Sequence, residues 1–257
     1  MTPVAAATTA TIPARERERP FLSVVVPAYR AGAVLRPTID AVERHAVTRR
    51  WELEVIVVTS GGDERTSAIA REAARDYQDV VVLDARANVG KGGALKLGMR
   101  AARGTVCCFI DADNAVPFDQ IDVALPLLDD SDVAIASRYM VGAEPGKRRL
   151  ARRVLSRGGN LLIKLLLGLP YTDTRAPLKV FRSDAAKELF ERIRLRGFGF
   201  DSELLFLAGR YGYRVTEFPV RFHEDGESTV RVPTAAVSSI IELLQVRWYW
   251  LRGRYRR

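Results

Sequence analysis

The chain has 257 residues, 47% of them hydrophobic, with 40 basic and 31 acidic side chains and a formal net charge of +9. That length accommodates one large α/β domain with appendages and a proper core. No apolar run reaches the ~20 residues needed to cross a bilayer; the longest candidate, Leu161 to Pro170, is broken by Lys164.

Met1 to Pro20 is rich in Ala and Thr and then alternates Arg with Glu. It has no apolar signal-peptide core, so residues 1–19 are expected to form a disordered tail. From Phe21 the pattern becomes regular. Phe21 to Val26 reads as a buried strand, Val34 to His45 as a helix, Leu53 to Val58 as a strand, Arg65 to Asp76 as a helix and Val80 to Leu83 as a strand. Gly92 to Ala102 is the next helix, followed by strands at Val106 to Ile110 and Val133 to Ala136. Such βαβ alternation feeds a mostly parallel sheet. The first strand runs into Pro27-Ala28-Tyr29, where a dinucleotide-binding turn needs its Gly-x-Gly-x-x-Gly. Asn88-Val89-Gly90-Lys91-Gly92-Gly93 is not a P-loop, because Ala85 stands where the first Gly belongs and Gly92 where Ser or Thr belongs. Glycines beside one lysine before a helix still let backbone and ammonium approach a phosphate; a plain loop with a solvated lysine is the alternative.

The most telling residues follow the apolar run Thr105 to Ile110: Asp111-Ala112-Asp113. Side chains two apart in an extended segment point the same way, so both carboxylates can converge on one hard cation beyond a strand end, where α/β sheets hold ligands. A cation there can neutralise a diphosphate leaving group. Cys107 and Cys108, adjacent in that strand, face opposite sides and cannot form a structural disulfide, which fits reduced, cytosolic chemistry.

Lys147 to Arg157 carries six basic residues and Arg247 to Arg257 five, neither with an acid. Removing these eleven leaves 29 bases against 31 acids, so two basic patches sit on a near-neutral body. Nucleic acid, anionic lipid and a phosphorylated acceptor all attract such patches. Between Arg148 and Leu169, Leu150, Val154, Leu161 and Leu165 form a row at helical spacing, which suits either a core-facing amphipathic helix or one lying in a membrane interface. Residues 233–257 repeat the mixture, and Trp248-Tyr249-Trp250 favours the membrane. Further strands are expected at Leu178 to Phe181 and Tyr213 to Val220, with a helix from Asp201 to Arg210.

Val24-Val25-Val26-Pro27-Ala28-Tyr29, Asn88-Val89-Gly90-Lys91-Gly92, Asp111-Ala112-Asp113, Ser137-Arg138-Tyr139 and Phe198-Gly199-Phe200-Asp201-Ser202-Glu203 stand in the order found in inverting family 2 glycosyltransferases. The set resembles the polyprenyl-phosphate branch, the dolichyl-phosphate glucose and mannose synthases, from Phe21 to about Pro233. The resemblance implies a GT-A-like, Rossmann-type nucleotide-diphospho-sugar transferase domain over residues 20–232, followed by a basic amphipathic helix over 233–257. It implies transfer from a UDP- or GDP-sugar to a polyprenyl phosphate with Mg2+ or Mn2+, by a peripheral protein on the cytoplasmic face of a membrane, with no nucleic-acid partner. Pro27, Ala28, Tyr29, Thr59, Lys91 and Asp111 would border the nucleotide, and Asp111 and Asp113 the metal. Arg138, Arg152 and Ser156 match the positions that grip an acceptor phosphate; Arg152 and Ser156 share a helix face at i, i+4. A lipid monophosphate, with a second pKa of about 6, needs no general base.

The runner-up is a hydroxyl acceptor, which requires a carboxylate base; Asp201 and Glu203 are the candidates, with helix capping as their alternative role. A nucleotide-sugar binder without catalysis is a further alternative, and a nucleic-acid binder a poorer one, since no recognised motif accompanies the charge. The departures from the family pattern are specific. Arg30-Ala31 replaces Asn-Glu, and Thr59-Ser60-Gly61-Gly62-Asp63 stands where acids usually follow the second strand, one of them reading the base. Threonine cannot supply a carboxylate, and Asp63 is the expected partial substitute. Asp173-Thr174-Arg175-Ala176-Pro177-Leu178-Lys179 keeps the acid and lysine of a further motif but places Arg175 near the sugar site, as an acidic sugar or a different acceptor would need.

Overall fold

Near-continuous Val and Ile runs build the centre of the molecule, because parallel strands must be apolar on both faces. The structure, a computed structural model, describes residues 19–144, 150–223 and 232–256, with the side chains of 150–157 and 232–239 outside the described set. All but the last residue of the expected disordered tail therefore lies outside the described residues. Strands β1 (Leu22–Ala28), β2 (Leu53–Ser60), β3 (Val80–Ala85), β4 (Val106–Phe109), β5 (Val133–Ser137), β6 (Lys179–Arg182) and β7 (Val215–Pro219) form one sheet in the order β3-β2-β1-β4-β6-β5-β7. All neighbouring pairs are parallel except those of β6, which runs antiparallel to both β4 and β5. The helices are α1 (Leu35–Arg49), α2 (Glu64–Asp76), α3 (Gly90–Ala101), α4 (Ile121–Ala124), α5 (Leu150–Leu167), α6 (Ser183–Arg192), α7 (Phe200–Arg210) and α8 (Val232–Leu251).

Two apolar layers flank the sheet. Val24, Val26, Val55 and Val57 pack with Leu35, Ile39 and Val42 of α1 and Ala70 and Ala73 of α2. Val25, Ile56, Val58 and Phe109 pack with Leu95 and Met99 of α3 and with residues of α5 to α8. Cys108 belongs to the first layer and Cys107 to the second; both are free and buried, as their adjacency demands. Gly98 lets α3 lie against the sheet, since a Cβ there would stand 2.3 Å from Val25 Cγ1.

The sequence pattern missed α6, which begins where β6 ends, without an intervening loop. The C-terminal helix differs from expectation in part. Trp250 packs edge-on against Phe206 and Tyr211, and Tyr249 against Tyr255, so only Trp248 of the aromatic trio faces outward, 45% exposed. On α5, Ile163 and Leu167 are buried while Leu161 and Leu165 are 58% and 72% exposed. No described helix is long and apolar enough to cross a membrane.

Glu43 on α1 is only 7% exposed, and its Oε1 has no hydrogen-bond partner. Burial, then repulsion from Asp79 and Asp40, pushes its carboxyl up from 4.5 to about 7. A folded-state pKa above the unfolded one means a contribution fully present below pH ~4.5 and lost as pH rises through about 7. We expect Tm to fall between pH 5 and 8 and Glu43→Gln to flatten that slope, by roughly 3 kcal/mol at most; an unchanged slope in thermal melts would refute this.

Candidate active site

The carboxyl ends of β3, β2, β1, β4 and β5 share one edge of the sheet, and Pro27, Ala28, Tyr29, Thr59, Asp111, Asp113 and Arg138 stand at or just beyond it. Pro27 and Ala28 end β1, with Tyr29 next to them, 48% exposed. Thr59 stands near the end of β2, opposite Ala28 on one side and Asp84 on the other. Its Oγ1 donates to Asp84 Oδ1 at 3.0 Å.

Asp111 and Asp113 leave β4 through a tight turn. Asn114 N–H donates to Asp111 O at 3.1 Å, Ala115 N–H to Asp113 Oδ1 at 3.1 Å, and Asn114 takes a left-handed φ of 50°. Lys91, in the first turn of α3, reaches Asp111 Oδ1 at 2.5 Å and lies over the rings of Phe109 and Phe200. Burial opposes its charge, but Asp111, Asp201 and Asp113 outweigh burial and hold the ammonium above its usual range. Desolvation, then Asp111, raises the Asp113 carboxyl.

The glycines around Lys91 serve packing. A Cβ on Gly90 would stand 2.2 Å from Arg196 O, and one on Gly92 2.5 Å from Leu195 O, while Gly92 N–H donates to Arg196 O at 2.9 Å. The 194–196 segment is held from below by Glu203, which accepts from Arg194 N–H, Leu195 N–H at 2.9 Å and the Tyr255 hydroxyl at 2.5 Å. Glu203 is 0% exposed, and its carboxyl is raised, chiefly by burial. Asp201 is also enclosed: Lys179 Nζ, itself 0% exposed, donates to Asp201 Oδ1 at 2.6 Å and to Ala176 O at 2.8 Å. Burial keeps Lys179 below the usual lysine range despite that partner. Both α7 acids are therefore buried and bonded within the fold, where the sequence offers them as candidate bases for a hydroxyl acceptor or as helix-capping acids.

Arg138 follows β5 and faces the same cleft, near enough to Asp111 for that carboxylate to help hold its charge. Its Nε and Nη2 form a fork on Asp173 at 2.6 and 2.9 Å, and its guanidinium lies 5.2 Å from the Phe222 ring centroid. Burial raises the Asp173 carboxyl, but Arg138 outweighs this and brings it below the usual range. Glu217 of β7 fixes the segment by accepting from Thr172 N–H, Thr172 Oγ1 and Asp173 N–H. Arg152 and Ser156 belong to α5, but their side chains lie outside the described residues. Two features escaped the reading by motif. Asp84 ends an apolar strand just as Asp111 does, a signal present but unused, whereas Glu217 carries no local signal.

A divalent cation fits Asp111 and Asp113 as part of its shell: both donors are hard carboxylate oxygens, suited to Mg2+ or Mn2+. No group of three or more His, Cys, Asp or Glu that could hold a metal occurs among the described residues.

A mostly parallel sheet with acids and cations gathered beyond its carboxyl edge is the arrangement this chain shares with nucleotide-sugar transferases of the GT-A fold. Solved structures share this fold. Glucosyl-3-phosphoglycerate synthase from Mycobacterium tuberculosis, in complex with Mn2+, uridine diphosphate and glucosyl-3-phosphoglycerate, superposes with a TM-score of 0.65 at 20% identity, covering 88% of this chain and 80% of that one. Mannosyl-3-phosphoglycerate synthase from Rubrobacter xylanophilus gives 0.67 at 18% identity, over 93% and 76%. Glycosyl transferase family 2 matches residues 23–190, and the chain belongs to that family. Among its relatives, the dolichyl-phosphate beta-glucosyltransferase of Drosophila melanogaster is 34% identical over 79% of this chain and 67% of that protein. The one from Saccharomyces cerevisiae is 28% identical over 94% and 78%. The protein is a glycosyltransferase.

Proposed function

We propose that the chain moves a sugar from a UDP- or GDP-linked donor onto a polyprenyl phosphate at an anionic membrane surface, with inversion at the anomeric carbon. One observation carries the choice of acceptor: Asp201 and Glu203 are both buried and bonded, so neither is free to deprotonate a hydroxyl. A phosphate monoester brings its own negative charge and needs no base. The names of the relatives support the same class of acceptor.

In this reading a phosphate oxygen attacks the anomeric carbon opposite the diphosphate. The new C–O bond forms as the bond to the leaving diphosphate breaks, and the electron pair departs with the nucleoside diphosphate. Lys91 lies where it can meet that developing charge, and Arg138, with Arg152 and Ser156 of α5, gathers the acceptor phosphate. Asp111 and Asp113 are the residues that would hold Mg2+ or Mn2+, which when bound supplies charge neutralisation at the diphosphate.

The membrane arm rests on an outward apolar strip. Leu161, Leu165, Ile241, Leu244, Trp248 and Leu251 are all at least 45% exposed. Arg252 and Arg254 stand over the Trp248 ring at 5.6 and 5.4 Å, and Arg247 Nε ties α8 to Leu166 O of α5 at 2.7 Å. Apolar side chains framed by arginines suit a lipid headgroup boundary.

A panel of UDP- and GDP-sugars offered with polyprenyl phosphate, the matching polyprenol and soluble hydroxyl acceptors tests the reading. We expect transfer to the phosphate alone, and reduced partition of Leu244→Ser/Trp248→Ser onto anionic vesicles. Equal use of a hydroxyl acceptor would sink the assignment.

A further inference from the structure

We propose that Asp84, at the end of β3, is the carboxylate that reads the donor's base, in place of the acid that Thr59 has displaced on β2. The inference rests on the reading of a UDP- or GDP-linked donor and assigns the residue that selects those bases.

Thr59 and Asp84 are register partners on adjacent parallel strands, so their side chains leave the sheet side by side. Thr59 is 1% exposed, and its single hydroxyl proton goes to Asp84 Oδ1. That bond fixes the carboxylate and leaves Oδ2 as an acceptor, since Asp84 has no other hydrogen-bond partner among the described residues. The neighbouring wall is already shaped. Gly61, with φ 81°, keeps its backbone under the Tyr29 ring, where a Cβ would meet Tyr29 Cε2 at 2.7 Å and Asn88 Cβ at 3.6 Å.

Asp63, the substitute that sequence position favours, stands apart from Thr59, at the start of α2. It accepts from the Thr66 hydroxyl, which in turn accepts from Ala31 N–H at 2.9 Å, so this acid ties α2 to the loop after β1. Of the acids at this corner, Asp84 is the one poised beside Thr59.

A fixed carboxylate oxygen selects for a ring N–H. Uracil offers N3–H and guanine N1–H, whereas cytosine N3 and adenine N1 turn a lone pair toward the same place. A hydrogen bond to a charged group discriminates on the order of 10- to 100-fold.

Titration calorimetry of the full chain with UDP, GDP, CDP and ADP tests this. The wild type should bind UDP or GDP at least about tenfold tighter than CDP and ADP. Asp84→Asn should weaken the preferred nucleotide and narrow its margin over CDP to about threefold or less. Asp63→Asn should lower Tm and leave the preference intact. The exchange Thr59→Asp/Asp84→Thr, which keeps one carboxylate in the same gap between strands, should restore the preference. Full preference in a folded Asp84→Asn, or equal binding of all four nucleotides by the wild type, overturns the assignment of Asp84 but leaves the donor reading standing. Binding of none of the four overturns the donor reading and this inference with it.

Discussion

Asp113→Asn should lower sugar transfer by about 10³-fold, some 4 kcal/mol of lost transition-state stabilisation, while leaving the melting temperature within a degree or two of wild type. The residue is exposed, and its carboxylate accepts from Ala115 N–H. Asparagine keeps the volume and can still accept that bond, so what disappears is a negative charge facing the place where a diphosphate must depart. Burial first, and then repulsion from Asp111, lifts the Asp113 carboxyl, and a bound cation would relieve both. Asp111→Asn is a less clean probe, because it also removes the partner of Lys91. Steady-state transfer assays with Mn2+ titration, run beside thermal melts, decide the matter. Retention of more than a tenth of the activity would contradict the role given to Asp113.

Asp201→Ala should be among the most destabilising single changes in the chain. It strands the Lys179 ammonium, 0% exposed, beside the Phe109 ring with Ala176 O as its remaining hydrogen-bond partner among the described residues. Breaking a buried pair from one side costs about 3–5 kcal/mol, or roughly 10 °C in a domain of this size. Removing both charges is a different matter, since a well-packed apolar replacement can be neutral. Lys179→Met/Asp201→Leu should therefore recover most of the lost stability. If Asp201 is an anchor and not a base, the folded double variant should retain measurable transfer to polyprenyl phosphate. A double variant as unstable as the single one would contradict the pairing with Lys179, and one that folds fully but is inert would return Asp201 to the list of reacting groups.

The parallel half of the sheet was legible from sequence because β1 and β2 are unbroken apolar runs, and Asp111 and Asp113 stood out because two acids end such a run. The short antiparallel β6 was visible as a strand, but its insertion between β4 and β5 depends on connections that no local periodicity encodes. The Trp248-Tyr249-Trp250 trio shows a related limit: composition flagged an interfacial segment, yet helical geometry sends Trp250 into the body and leaves Trp248 outside. Asp201 and Glu203 read from sequence as candidate bases or helix-capping acids. Whether a carboxylate is available or locked depends on Lys179, Arg194, Leu195 and Tyr255, partners up to 52 positions away.

Tyr255 adds a practical corollary. Its hydroxyl grips Glu203, and through that carboxylate the third residue from the end supports the segment on which Gly90 and Gly92 rest, and hence the ammonium of Lys91. Tyr255→Phe, which removes that hydroxyl, would loosen the segment packed against Gly90 and Gly92.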